Sequence, residues 1–146
     1  MKCTVKIDKS VSEDEAIILA KDRSIKINEI ESYILSIDNS IYGYKDKEAI
    51  KLSLNDIYCF TIEENRVFAV LEKERYMLKQ RLYAIEEQLG NTFLKINQST
   101  IINVSKIKKF NASFAGSLMV VLENGYKDFV SRRQLRIVKE RIGEKI

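Results

Sequence analysis

The chain lacks histidine and proline, and it has only two cysteines among its 146 residues. Without histidine it has neither the commonest general base nor the commonest metal ligand. Without proline it has no proline-rich linker that would divide it. Cys3 and Cys59 are too few and too far apart for a disulfide framework or a metal site, which favours a reducing cytosol. Since no nucleophile–base pair is apparent either, we expect no enzymatic activity, no bound metal and no cofactor.

Long apolar runs are missing as well. No stretch approaches the roughly 20 apolar residues that span a bilayer. The N-terminus MKCTVKIDKS alternates and carries charge throughout, which does not fit a signal peptide. A hydrophobic fraction of 45% and a charged fraction of 32% are typical of an ordinary globular protein. We expect one cytoplasmic domain with a short appendage.

The net charge of +4 is unevenly distributed along the chain. Residues 1–40 carry six basic against eight acidic side chains, and residues 41–92 carry eight against nine. Residues 93–146 carry eleven against four, a net charge of +7. A local positive field attracts a polyanion and speeds its encounter with the protein. A solvated basic face without a partner would have the same composition, so charge alone leaves both interpretations open.

The first 40 residues predict a small β-β-α segment. Alternating apolar residues predict a half-buried strand over residues 2–7, and the apolar run at residues 16–20 is expected to pair with it. Isoleucines at helical spacing predict an amphipathic helix over residues 22–37. Because such a segment cannot bury its apolar face alone, it must pack on the rest of the chain or on a second copy.

From residue 41 onward the patterns predict mostly strands, after a Tyr-Gly-Tyr turn region at residues 42–44. The expected strands cover residues 48–54, 57–62, 66–71, 74–77, 93–96, 101–104, 107–113 and 117–122. The last two flank an expected turn at Ala115-Gly116. Asn124-Gly125 predicts a tight hairpin, in which both turn residues must accept positive φ.

Two helices are expected in this part of the chain. Leu78, Leu82, Ile85 and Leu89 have helical spacing and are followed by Gly90 as a stop. Ser131 is expected to cap a last helix that ends before Gly143.

The segment FLKINQSTIIN, residues 93–103, interleaves apolar and polar side chains. Its polar cluster consists of Lys95, Asn97, Gln98 and Ser99. The later run FVSRR, residues 129–133, places a serine and two arginines at the start of a helix. Amide, hydroxyl and guanidinium groups on a small β scaffold contact phosphates and base edges, and they are poor groups for catalysis. This combination predicts DNA binding.

Other residues of the same segment are expected to be structural. Its apolar members, expected in the core, are Phe93, Ile96, Ile101 and Ile102. Asn103 is expected to bind backbone groups in a turn rather than DNA.

These motifs closely resemble the LytTR DNA-binding domain of bacterial transcription regulators over residues 41–143. The family pattern joins a phenylalanine strand, a polar and basic cluster, a serine and an apolar pair ending in asparagine, here FLKINQSTIINVSKIKKF. An apolar strand, an NG turn and a serine–arginine pair follow in LMVVLENGYKDFVSRRQL. The family's central strands and helix fit IYCFTIEENRVFAV and RLYAIEEQLG. The resemblance implies a compact, mainly β arrangement of antiparallel strands with one or two helices, whose loops enter successive major grooves.

In that family three loop regions read the DNA. Carried over by position, the DNA-binding residues are Asn65, Arg66, Lys95, Asn97, Gln98, Ser99, Arg132 and Arg133. Glutamine pairs bidentately with adenine and arginine with guanine, so Gln98 and Arg132 are the preferred base readers. The residues suited to phosphate contacts are Arg66, Lys95, Ser99 and Arg133, whereas Asn65 suits both roles.

The chain departs from the family in two respects. Members often carry histidine in the polar cluster or at the hairpin tip, whereas Asn97 and Asn65 stand there in this sequence, so its base preference is expected to differ. Many members follow a response-regulator receiver domain, for which residues 1–40 are too few. The chain resembles the small stand-alone LytTR regulators, whose activity is not expected to be switched by phosphorylation in cis.

The predicted organisation is an extension at residues 1–40 and a LytTR-type DNA-binding domain at residues 41–146. The predicted function is a sequence-specific regulator of transcription that binds double-stranded promoter DNA at direct repeats. The extension is expected either to form a homodimer or to co-pack within one chain, and a membrane-protein partner is compatible with the family. The alternative function is a LytTR-fold interaction module that antagonises another regulator. Binding of structured RNA has less support, because nothing resembles an RNA-recognition signature.

Overall fold

The computed structural model describes residues 1–38, 41–112 and 117–143, and their architecture is mainly β, as the sequence predicted. The strands are β1 (Ile41–Lys45), β2 (Glu48–Leu52), β3 (Cys59–Glu63), β4 (Arg66–Val70), β5 (Arg75–Leu78), β6 (Phe93–Asn97), β7 (Thr100–Asn103), β8 (Ile107–Ala112), β9 (Leu118–Leu122) and β10 (Lys127–Val130). The α-helices are α1 (Ile25–Asp38), α2 (Leu82–Gln88) and α3 (Arg132–Ile142). Short 3-10 helices cover Leu54–Asp56 and Val104–Lys106.

The strands form two antiparallel sheets. Sheet A has seven strands in the order β2-β1-β5-β4-β3-β7-β6, and sheet B has three in the order β10-β9-β8. Consecutive residues of a strand of sheet A pack into two different core clusters, one on each face of the sheet. This alternation with period 2 is typical of a sheet that is covered on both faces. The cluster beneath α2 includes Phe60, Ala69, Ile85 and Ile101. The cluster beneath sheet B and α3 includes Cys59, Ile102, Leu122 and Val138.

Two hairpins of sheet A have two-residue turns without glycine. Lys45 pairs with Glu48 across Asp46-Lys47, whose φ values are 51° and 67°. Glu63 pairs with Arg66 across Glu64-Asn65, whose φ values are 50° and 63°. Positive φ at both central residues matches the right-handed twist of the flanking strands. These residues therefore adopt a left-handed conformation that ordinary side chains disfavour.

The Asn124-Gly125 hairpin joins β9 and β10, as predicted, but its turn differs from the prediction. Only Gly125 has a positive φ, 89°, and its N–H donates to the Leu122 carbonyl at 2.9 Å. Asn124 acts through its side chain, which accepts from the Tyr126 N–H at 3.0 Å and donates to the Leu71 carbonyl at 2.9 Å. The loop is thus a three-residue connection with glycine in the left-handed position. The other predicted turn of sheet B, Ala115-Gly116, lies outside the described residues, although its flanking strands β8 and β9 do pair.

The Tyr-Gly-Tyr segment belongs to β1 and is not the turn region that the sequence predicted. A Cβ atom on Gly43 would lie 2.5 Å from the Tyr76 Cβ and 2.8 Å from the Leu52 Cδ1. Glycine is therefore required here by the close approach of neighbouring side chains rather than by a bend in the chain.

Helices α2 and α3 contribute to the two core clusters. The first is shorter than predicted, because Leu78 ends β5, where it pairs with Val67, and the helix begins only at Leu82. The second begins and ends as predicted. The Ser131 hydroxyl accepts from the Gln134 N–H at 3.3 Å, and Gly143 follows the last turn with a φ of 89°.

Residues 1–24 form neither of the two strands predicted for residues 2–7 and 16–20, so the β-β part of the predicted N-terminal segment was wrong. The helix does form, although it begins at Ile25 instead of residue 22. The Ser24 hydroxyl accepts from the Ile27 N–H at 3.3 Å and caps it.

Helix α1 is attached to the rest of the chain by side-chain hydrogen bonds. Thr92 Oγ1 donates to the Asn28 carbonyl at 2.7 Å, and Asn91 Nδ2 donates to Glu31 Oε1 at 3.2 Å. Within the described residues, no helix is long and apolar enough to cross a membrane.

Candidate nucleic-acid interface

The first element of the site is the β3–β4 turn at one end of sheet A. Its positive φ values turn the chain sharply, so that Asn65 and Arg66 are exposed there. The nearby Glu63 carboxylate pairs with Arg75. Among the described residues Arg66 takes part in no ion pair, and its Nη1 lies 3.6 Å from the Met77 sulfur. Its charge is therefore available to an anionic ligand.

The second element is the turn between β6 and β7, which contains the polar cluster. Asn97 Oδ1 accepts from the Ser99 N–H at 2.8 Å, and Asn97 Nδ2 donates to the Phe129 carbonyl at 2.8 Å. The Ser99 carbonyl accepts from the Ile62 N–H at 2.9 Å. Gln98 is exposed at the tip of the turn. The amide of Asn97 thus fixes the shape of the turn, while Gln98 points into solvent.

The third element is the first turn of α3, which lies directly beside the second. The Ser131 N–H donates to the Ile96 carbonyl at 2.8 Å, so the end of β10 is bonded to β6. Arg132 and Arg133 follow and are both exposed. A helix N-terminus has unpaired N–H groups and a partial positive charge, and both favour phosphate.

A polar network joins the two sheets behind these turns. Thr100 Oγ1 lies 3.1 Å from Thr61 Oγ1 and donates to Asp128 Oδ2 at 2.7 Å. The single proton of the Tyr126 hydroxyl is shared between two acceptors, Thr61 Oγ1 and Asp128 Oδ2, both at 3.2 Å. Burial raises the pKa of Tyr126 to about 12, so this hydroxyl remains a donor at neutral pH. The network and the Asn97–Phe129 bond hold the second and third elements in one fixed relation.

A groove on sheet A brings four of the eight predicted residues together. Asn65 and Arg66 line it from the β3–β4 turn, and Lys95 and Gln98 line it from β6 and the following turn. The connection between β5 and α2 adds Lys79, Gln80 and Arg81, and α2 adds the exposed Tyr83. The described lining therefore contains four cationic side chains, from Arg66, Lys79, Arg81 and Lys95, and no acidic one.

The sequence did not predict the contribution of the β5–α2 connection. In the net charge of residues 41–92, acidic side chains elsewhere conceal the run Lys79-Gln80-Arg81. The signal was local: a basic–amide–basic triplet immediately before a helix. Lys79 also lies over the Tyr44 ring, with its Nζ 4.3 Å from the ring centroid.

The other four predicted residues lie outside this groove. Asn97 and Ser99 form the turn beside it, and Arg132 and Arg133 start α3. Lys95 connects the two regions, because it also lines a shallow depression against Gln134 and Arg141 of α3. We call the groove, the polar turn and the first turn of α3 together the reading surface.

Residues 47–143 match the family model described as the LytTr DNA-binding domain. The match covers more than half of the chain and includes all eight predicted contact residues. The chain belongs to the LytTR family. Its fold is similar to the LytTr DNA-binding domain of a protein described as a methyl-accepting/DNA response regulator from Bacillus cereus. That structure has a TM-score of 0.68 and 17% sequence identity, and the match covers 73% of this chain and 98% of the other.

The LytTR chain is also similar to two full-length relatives, uncharacterized HTH-type transcriptional regulators of Staphylococcus aureus strains NCTC 8325 and N315. Each is 29% identical over 144 residues, covering 97% of this chain and 98% of the relative. The similarity thus extends through the segment that precedes the LytTR domain. Although these names refer to a helix-turn-helix, strands separate consecutive α-helices in the part of this chain that the structure describes.

The structural role predicted for Asn103 of this LytTR domain is confirmed, and Cys59 also belongs to the core. Asn103 is buried, donates to the Ile57 carbonyl at 2.9 Å and accepts from the Ser105 N–H at 3.0 Å. Cys59 is buried, and desolvation raises the pKa of its thiol, which makes it an inert core residue. Across the described ranges, no cluster of three metal-ligating side chains is present.

Proposed function

We propose that this LytTR protein is a sequence-specific regulator of transcription, without enzymatic activity, that reads the major grooves of double-stranded DNA through its loops. The observation that carries this proposal is the groove, whose described lining brings four cationic side chains together with Asn65 and Gln98 and contains no acidic side chain. Cations supply phosphate contacts, and amides supply base contacts, so the groove contains both classes of group that a DNA reader needs.

Exposure and bonding suggest a role for each residue. Gln98 and Arg132 are exposed and suited to bidentate base contacts. Residues proposed to contact phosphates are Arg66, Lys79, Arg81, Lys95, Ser99 and Arg133, and Asn65 is proposed for either role. We propose that Asn97 positions the turn, since its amide is engaged with Ser99 and Phe129.

The organisation proposed for the protein follows the sequence prediction. Residues 1–40 are the extension, and residues 41–146 are the DNA-binding domain. Two protomers occupy direct repeats in a promoter, on one face of the duplex, with centres about one helical turn or a multiple of it apart. In this proposal the protein forms a homodimer and acts in the cytoplasm, where promoter DNA is found.

The proposal is tested by selecting duplexes from a random library and titrating the selected site at two salt concentrations. Wild-type binding should be sequence-dependent and should weaken with salt in proportion to the phosphates contacted. Arg81→Ala should weaken binding to all sequences alike and reduce the salt slope by about 1. Lys51→Ala is the control, because Lys51 is an exposed cation of β2 outside the groove.

Undetectable binding at low salt would contradict this function and favour the interaction module that antagonises another regulator. Equal effects of Arg81→Ala and Lys51→Ala on the salt slope would show that the groove is not the contact surface. Tighter binding to a structured RNA than to any selected duplex would favour the RNA alternative.

A further inference from the structure

The segment of residues 1–20, here called the arm, exposes most of its large apolar side chains, although Ile18 is half-buried. The exposed fractions are 78% for Val5, 82% for Ile7, 73% for Ile17 and 92% for Leu19. Within the described chain the hydrogen bonds of the arm are confined to the turn at Asp8–Val11. An apolar surface of this kind on a globular protein indicates a binding partner.

The arm differs from α1, which follows it, in its attachment to the rest of the chain. Helix α1 is bonded to Asn91 and Thr92 and belongs to the body of the protein. The second half of the arm runs beside α1, and the two are separated by an open groove lined by Ala16, Ile18, Ile27 and Ile34. The hydrogen bonds therefore attach the helix to the body, whereas most of the arm has no cover; Ile25, Tyr33 and Leu35 of α1 are exposed as well.

The charges of the arm are complementary between its two halves. Lys6 and Lys9 lie in the first half, and Glu13, Asp14 and Glu15 open the second. If residues 2–9 lie antiparallel to residues 13–20, Lys9 stands opposite Glu13, and Lys6 lies diagonal to Asp14, although Asp8 also stands opposite Asp14. The same register places Cys3 and Val5 beside Ile17 and Leu19 on one face of the pair, which continues into the pairs Ile7–Glu15 and Lys9–Glu13.

One copy of the chain does not satisfy this complementarity. The two halves of the arm form no strand and no bridge with each other. A two-stranded hairpin would in any case be marginal in water, whereas three or more strands with an apolar face are stable. Two copies supply four strands and two apolar faces that cover each other. The arm has 20 residues, within the roughly 20–30 per partner of a stable interface.

We propose that the arm is a dimerisation element, in which the first half of one copy's arm pairs with the second half of the other copy's arm. The exchange is reciprocal, so two identical strand pairs form. The proposal specifies the partner surface of the homodimer and uses no residue of the reading surface. Because α1 is bonded to the body, the arm can pair while the DNA-binding domain remains unchanged.

Charge reversal separates this proposal from pairing within one chain. The first variant is Lys6→Glu/Lys9→Glu, with two acidic halves, and the second is Glu13→Lys/Glu15→Lys, with two basic halves. Light scattering should give wild-type protein twice the 17.0 kDa mass of the chain. Each variant alone should be monomeric, with a dimer dissociation constant raised on the order of a hundredfold. An equimolar mixture should form heterodimers, because each acidic half then meets a basic half of the other chain.

Three results would overturn the proposal: a monomeric wild type, variants that remain dimeric, or a mixture that stays monomeric. The last result would indicate that the halves pair within one chain. Binding to a duplex with a single half-site should be unchanged in both variants, since none of the four residues lies on the reading surface. If a variant loses dimerisation but still binds the half-site, the proposed DNA function is unaffected. If the wild type does not bind the half-site, the DNA function is contradicted, but the dimerisation proposal is not.

Discussion

The reading surface and the arm are two exposed regions whose side chains are supported very differently. Behind the reading surface, backbone and side-chain bonds such as Asn97–Phe129 and Thr100–Asp128 fix the turns. The arm has no strand partner within the described chain, and most of its large apolar side chains are exposed. A surface that must match the spacing of DNA groups benefits from pre-organisation. A segment that becomes ordered by pairing with a second copy does not need to be pre-organised before the two copies associate.

The largest expected effect is a loss of folding stability in the body of the protein, caused by a substitution that does not alter the arm. Asn103→Ala deletes the bonds to the Ile57 carbonyl and to the Ser105 N–H and leaves buried groups unpaired. The free energy of unfolding should fall by about 3 kcal/mol, as measured by urea titration. Asn111→Ala, at an exposed site of β8, should change it by less than about 0.5 kcal/mol, and so should Val5→Asp in the arm when the protein is monomeric. A comparable loss from Val5→Asp in monomeric protein would show that the arm stabilises the body.

The next effect concerns DNA affinity rather than stability. Arg132→Ala should weaken binding by about 2 kcal/mol and relax the preference at one base pair, if Arg132 pairs with guanine. Arg133→Ala should instead weaken binding to all sequences equally, as a phosphate contact does. Competition titrations against a panel of single-base variants of the site distinguish the two. A uniform loss in Arg132→Ala would reassign that residue to a phosphate.

A smaller effect tests whether Asn97 positions the turn. Asn97→Asp keeps the acceptor for the Ser99 N–H but places a carboxylate oxygen against the Phe129 carbonyl, where Nδ2 donates at present. Unfolding free energy should fall by about 1.5 kcal/mol, and base preference should weaken at the positions read by Gln98 and Arg132 together. Asn111→Asp provides the exposed control. If selectivity falls at a single base pair with stability intact, Asn97 reads that base itself.

The smallest effect is a pH dependence of the network behind the reading surface. Because the pKa of Tyr126 is raised to about 12 in the folded protein, its stabilising contribution is complete below its ordinary value of 10.0. Above that pH the unfolded chain loses the proton first, so stability falls as pH rises towards 12. Since Tyr126 is partly exposed, we expect a loss of only about 1 kcal/mol. Urea titrations near pH 9 and pH 11 should show this loss in the wild type relative to Tyr126→Phe, and parallel changes in both proteins would contradict it.

Local patterns predicted those parts of the fold whose cause is local. Ser131 and Gly143 mark the two ends of α3, as predicted, because a helix cap acts within one helical turn. The NG hairpin forms because its geometry depends on three residues. The arm alternates as regularly as the strands of the body, yet residues 2–7 are not a strand, because a strand also needs a partner, which alternation cannot supply.

The sequence predicted which residue types the site contains, but not which partners their side chains contact. Gln98 and Asn97 are adjacent polar residues with the same apparent role, and only the fold shows that Phe129, 32 residues away, engages the amide of Asn97. Gly43 resembles a turn residue, but the side chain of Tyr76 across the sheet is what requires glycine there. Both distinctions depend on non-local contacts.

The left-handed turn at Glu64-Asn65 has a consequence for how this family member can be improved. Glycine would relieve the backbone most at Glu64, where a side chain is retained at a cost of about 1 kcal/mol, and less at Asn65, because asparagine tolerates the left-handed conformation. The Asp46-Lys47 turn has the same geometry and joins β1 and β2 at one end of the sheet order, and neither of its residues belongs to the reading surface. A stabilised variant should therefore take its glycine at Asp46-Lys47, where thermal tolerance is gained without removing a side chain from the reading surface.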